Sequence, residues 1–170
     1  MTNFERQMLL ELLKIKRELS ILNHNDEETT NINNEIIAVQ NGYTEFYELG
    51  DDELSNEKSE NWFTFIYDVL AMYSRMINSI ANNQGSKHKH DISDVRFPGF
   101  DGNNELEKMT FVKFFIIRLK RYGEIEAINN GDYNSHREMT ETYKRMLACF
   151  KKMGEPIILN DQQIDELLNS

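Results

Sequence analysis

Four histidines, one cysteine and 29 carboxylates are the groups in this 170-residue chain that could hold a metal or attack a substrate, and their spacing decides which could cooperate. His88 and His90, inside Lys87-His88-Lys89-His90-Asp91, are the only clustered histidines. Imidazole beside a carboxylate suits zinc, but two adjacent ammonium groups would repel a dication, and the sequence places neither His24 nor His136 to supply a third ligand. The segment reads as a solvent-exposed loop, with no metal. Asp101-Gly102-Asn103-Asn104-Glu105 imitates the start of a calcium loop, yet counting from Asp101 puts Leu106 where Gly is needed and Val112 where a bidentate Glu belongs. It reads instead as a turn leading into a helix. Cys149 lies beside Met146 and Phe150 and reads as a small buried hydrophobe. A phosphate-cradling Gly-rich loop, a nucleophile elbow and a metalloprotease helix are all absent from the sequence. These residues therefore give no indication of an enzyme or a cofactor.

The elements that would position any site are helices. Two prolines and eight glycines leave little material for the turns of an all-β fold. Thr2-Asn3-Phe4-Glu5 has capping-box spacing, and Met8, Leu12, Ile15, Leu19 and Leu22 recur at helical steps until Asn23-His24-Asn25-Asp26. That stripe is the face expected to pack, with Glu11, Lys14 and Glu18 opposite. A second helix is expected from about Asn31 to Asn41, closed by Gly42, with one or two further turns over residues 43–49 and a solvated acidic connection at residues 50–53. The strongest periodicity runs from about Ser59 to Asn82. There Trp62, Ile66, Val69, Tyr73, Met76 and Ile80 form one stripe and Phe63, Leu70 and Ile77 another, as in a central helix.

Residues 111–119 are apolar nearly all round, and a capping box at Asn104-Glu105-Leu106-Glu107 predicts one helix reaching Arg121. Met139, Tyr143, Met146, Phe150 and Met153 predict another, ended by Gly154, and Asn160 caps a short last helix packed through Ile164, Leu167 and Leu168. The connections are residues 84–103 and 129–135. No heptad run of three or more units with charged flanks is evident. A structureless loop near 20 residues is uncommon in a compact domain, so the first connection either carries function or packs as an ordered clasp.

Charge narrows the partners. The chain carries a net charge of -10, which disfavours nucleic acid and anionic lipid. Residues 1–85 hold 6 basic and 15 acidic groups, residues 86–170 hold 13 and 14. Arg137, Lys144 and Lys151 share a helical face, a candidate basic face on which the acidic half of a second copy could dock. No apolar run is long enough to span a membrane, no secretion signal is read at the N-terminus, and one cysteine suits a reducing compartment. A cytoplasmic location is expected.

Arg96-Phe97-Pro98-Gly99-Phe100-Asp101-Gly102 followed by an amphipathic helix, then Arg121-Tyr122 and residues 143–147, resembles the YfbU family of small bacterial proteins. The likeness takes in Asn41-Gly42-Tyr43, Met72-Tyr73 and residues 159–168, and so covers essentially the whole chain. It is faint over the first 35 residues, and Cys149 and Phe150 stand near the place of a family tryptophan. The resemblance implies an intracellular bacterial protein with an all-α, multihelical fold of two packed helical subdomains, and it implies no established activity.

On the residues themselves, a Pro-Gly turn between Phe97 and Phe100 can aim both rings inward, each stabilising by roughly 1.5 to 3 kcal/mol when buried. One domain over residues 1–170 is expected, with an acidic helical half (1–83), the clasp (84–103) joining, and a second helical half (104–170). The function these readings favour is a non-enzymatic interaction or scaffold protein that forms a homo-oligomer, with room for a heterologous protein partner. The alternative is a small-ligand binder or enzyme with a groove lined by Phe97, Asp101, Arg121 and Tyr122.

Overall fold

The computed structural model describes residues 2–46, 62–82 and 89–170. Within them the chain is all-α, with seven helices, and it divides into two compact units, Met1–Ser59 and Glu60–Ser170. The helix expected to close the first half, α3 below, therefore belongs to the same unit as residues 104–170. The expected acidic connection at residues 50–53 lies outside the described residues.

The smaller unit is an αα-hairpin. Its first helix, α1 (Asn3–Leu22), opens on the capping box read from the sequence: the Glu5 amide donates to the Thr2 hydroxyl at 3.2 Å, and the Thr2 amide to Glu5 at 2.7 Å. The second, α2 (Asp26–Asn41), starts earlier than expected because Asn25 caps it, accepting from the Glu28 amide at 3.1 Å. Three acidic residues in its first turn complement the helix dipole, and Gly42 ends it with φ 74°. A 3-10 turn, Thr44–Phe46, follows. Leu13 packs with Ile32, Ile36 and Val39, flanked by Leu9 and Leu10. Polar groups complete the seam: Arg6 donates to the carbonyls of Val39 (2.6 Å) and Gln40 (2.7 Å) at the end of α2, and the buried Ser20 hydroxyl bonds Thr29 at 2.9 Å.

The larger unit is built around α3 (Trp62–Ala81), in which Phe63, Ile66, Val69, Leu70, Met72, Tyr73, Met76 and Ile77 are buried, as a doubly striped central helix requires. A 3-10 turn (Ile92–Val95) is followed by α4 (Leu106–Lys113), which passes into a π turn (Phe114–Arg118). Then come α5 (Gly123–Asn129), α6 (Thr140–Lys152) and α7 (Asp161–Leu168). Against α3 pack the 92–95 turn, α5 and α6, and α7 packs on α6. Arg75 on α3 lies 5.3 Å from the centre of the Phe150 ring and donates to the Glu155 carbonyl at 2.6 Å, fixing the end of α6.

Two expectations are corrected here. Asn104 does not cap α4; Glu105 occupies the cap position without a side-chain cap bond, because its carboxylate is engaged elsewhere. Nor does one helix run on to Arg121: the apolar run ends in the π turn, and Lys120 and Tyr122 adopt left-handed φ values of 53° and 51° that turn the chain into the unforeseen α5.

Candidate functional site

The Phe-Pro-Gly-Phe stretch is internal. Phe97 and Phe100 are fully buried and lie in an aromatic cluster: Phe97 is 5.1 Å from Tyr73 and 5.8 Å from Tyr143, and Phe100 is 5.2 Å from Tyr143. Gly99 has φ 87°, and a Cβ built on it would stand 2.0 Å from the Tyr133 carbonyl oxygen, so only glycine fits. That approach lets the Phe100 amide donate to Tyr133 (3.0 Å) and the Phe100 carbonyl accept from the Ser135 amide (3.2 Å), a bridge between residues 100 and 134. Tyr143 donates to the Gly99 carbonyl at 2.7 Å, and burial pushes its phenol well above the usual range.

Asp101 is buried and spends its oxygens on its own turn, accepting from the Asn103 amide at 3.1 Å and the Asn104 side chain at 2.8 Å. Glu105, read from the sequence only as part of this turn and of a local capping box, anchors the turn to α6. It accepts from the amides of Asp101 (3.1 Å), Met139 (2.9 Å) and Thr140 (2.9 Å) and from the Thr140 hydroxyl, and so caps the start of a helix distant in sequence. Burial alone would raise its pKa, but the Thr140 hydroxyl and these amides outweigh burial and hold it below the ordinary 4.5.

The other members of the expected groove stand in a different neighbourhood. Arg121 is exposed, its amide bonded to the Phe115 carbonyl at 3.3 Å, and the half-buried Tyr122 ring lies 6.0 Å from Phe115 at the exit of the π turn. The expected basic face is corrected: Arg137 is exposed but precedes α6, so only Lys144, paired with Glu141 at 2.7 Å, and Lys151, 4.0 Å from Asp68, share a helix. Lys144 and Lys151 also line a shallow groove of about 460 Å³ between α3 and α6 whose apolar wall is Phe65, Leu147 and Ala148.

The described part of the histidine segment is a loop, as read, but the expected solvent exposure is corrected for His90. Its side chain is only 11% exposed, with Nε2 3.0 Å from Asp165 on α7 and Nδ1 3.8 Å from Asp94. Lys89 joins the same carboxylate at 3.0 Å and holds the Asp165 pKa below its ordinary value. These contacts tie the chain ahead of the aromatic cluster to the last helix. His88 lies outside the described residues.

On α1 runs an apolar stripe that no described residue of its own unit covers. The stripe expected to pack is exposed: Met8 51%, Leu12 61%, Ile15 59%, Leu19 56% and Leu22 74%, with Phe4, 73% exposed, one turn ahead of it. The face turned to α2 is instead Arg6, Leu13 and Ser20, with Leu9 and Leu10 beside it, so Glu11 and Glu18 flank the apolar stripe rather than oppose it. Six large apolar side chains along one helix exceed the scattered exposure normal for a monomer.

An all-α protein combining a helical hairpin with a larger multihelical unit is the class these observations define, and among the described residues no helix is long and apolar enough to cross a membrane. The YfbU domain profile matches residues 1–170, and the chain belongs to the YfbU family. It is similar to the UPF0304 protein MJECS11 of Methanocaldococcus jannaschii, with 29% identity over 177 residues that span 100% of this chain and 99% of that protein.

Proposed function

We propose that this YfbU chain is a non-enzymatic interaction protein of the cytoplasm that associates with copies of itself. One observation carries the reading: the apolar stripe of α1 is complete, regular and left uncovered by the described residues of its own unit. Water in contact with such a stripe is released on association, and the gain scales with the apolar area covered. Two further features agree with it. Phe97 and Asp101 are buried in the fold and offer no surface to a ligand, and the single cysteine suits a reducing compartment. Native mass spectrometry of the full chain at micromolar concentration, at low and at high salt, is the test. A species of two or more copies is expected, and a monomer under both conditions would overturn the reading.

A further inference from the structure

Met8, Leu12, Ile15, Leu19 and Leu22 are separated by steps of four, three, four and three, an average of 3.5 residues. That is the spacing at which two helices keep one seam in contact along their length, rather than the 3.6 of a helix lying on a core. Leu12 and Leu19 then hold one of the two core positions of the repeat, and Met8, Ile15 and Leu22 the other. The flanks of the seam differ in charge: Glu11 and Glu18 line one edge, Lys16 the other, and all three are exposed.

We propose that two copies pair through α1 in parallel and in register, each of these five residues meeting its counterpart, with Glu11 of either copy against Lys16 of the other. The proposal rests on the self-association reading and specifies its geometry. What the face requires opposite it is an apolar seam of the same period with a cation facing Glu11 and an anion facing Lys16. A second copy of the same face supplies all three when the helices run parallel, twice over by the two-fold symmetry. In the antiparallel arrangement the glutamate edge meets the other glutamate edge. The intrachain pair of Glu11 with Lys14, at 2.7 Å on the surface, holds Glu11 only weakly. Because α2 already occupies the side of α1 that carries Leu13 and Ser20, one seam remains per copy and the assembly closes at two. Packing on α2 also preforms α1, so association does not bear the cost of helix nucleation that an isolated segment of this length would.

The test uses the full chain with Cys149→Ser as background. Leu19→Cys in that background is expected to give a covalent dimer under mild oxidation, since like core positions of a parallel pair lie within disulfide reach. Glu11→Lys and Lys16→Glu are each expected to weaken the dimer roughly fivefold or more, by replacing attraction with repulsion at both symmetric pairs, and the double reversal to restore it. Leu19→Asp, at an exposed position, is expected to be monomeric with unchanged far-UV circular dichroism. A dimer in which Leu19→Cys stays uncrosslinked, while Met8→Cys combined with Leu19→Cys crosslinks, would show antiparallel helices and overturn this geometry alone. A dimer indifferent to Leu19→Asp would move the interface off α1 and likewise leave self-association standing. A monomeric parent protein would overturn both readings.

Discussion

Gly99 and Glu105 are where single residues hold the larger unit together. A side chain at Gly99 meets backbone, the Tyr133 carbonyl, which cannot rotate away. Gly99→Val is therefore expected to destabilise by about 3 kcal/mol or more, against the roughly 1 kcal/mol of an ordinary substitution, lowering Tm by about 6 °C or more at this size. Gly102→Ala is the comparison, because the nearest atoms to its Cβ belong to the Asn134 side chain, at 3.0 Å, rather than to backbone. Equal melting of the two proteins would mean the 99–100 segment does not fasten residues 133–135. Glu105 makes a different prediction. Its carboxyl pKa is lowered in the fold, so its contribution is fully present above the ordinary 4.5 and is lost as pH falls through the lowered value. Glu105→Gln turns an amide donor toward amide donors and should cost about 2 kcal/mol at pH 7. In urea unfolding, the gap between parent and variant should stay level down to about pH 5 and narrow at pH 3.5. A gap that widens in acid would contradict the assigned cap.

At the scale of elements, α1 has two faces that the sequence does not rank. Periodicity finds an apolar stripe but is blind to what covers it, and the face that packs on α2 carries Arg6 and Ser20, types that hydropathy reads as outward. Ser20 is buried and Arg6 partly so, and both are satisfied there because they meet hydroxyl and carbonyl groups of α2, a pairing invisible before the hairpin forms. The consequence is measurable. Leu13→Ala should cost about 2 to 5 kcal/mol, as a buried truncation does, while Leu12→Ala, one residue earlier, should leave the unfolding of the isolated monomer within about 0.5 kcal/mol of the parent. Comparable losses at both positions, measured below the association range, would place Leu12 inside the fold. Other elements were more readable. The caps at Thr2 and Asn160 and the left-handed Gly42, Gly99 and Gly154 announce helix ends and turns through local rules, and the structure has them there. The π turn and α5 escape such rules. An apolar run all round leaves no period to break, and seven residues set between left-handed Tyr122 and Asn130 are too few to show one. The anchoring role of Glu105 escaped for another reason: its partners Met139 and Thr140 lie on an element that only the fold brings near.

For the molecule as a whole, net charge and the α1 seam pull in opposite directions. Two copies of charge -10 repel, with an energy on the order of 10 kcal/mol in water at about 30 Å before screening. The screening length falls from about 30 Å at 0.01 M salt to about 8 Å at 0.15 M, which removes most of that repulsion and leaves apolar contact untouched. The surface pairs of Glu11 with Lys16 contribute a few tenths of a kcal/mol each, too little to reverse the trend. Association through the seam should therefore strengthen from 0.01 to 0.15 M salt. The competing mode, in which the acidic half of one copy docks on Arg137, Lys144 and Lys151 of another, depends on opposite charges and should weaken over the same range. Two of those three cations already face Glu141 and Asp68, which lowers the field such a partner would feel. Sedimentation equilibrium at the two salt concentrations separates the modes by the sign of the change: tighter assembly at 0.15 M assigns the contact to α1, and dissociation there assigns it to the charged faces.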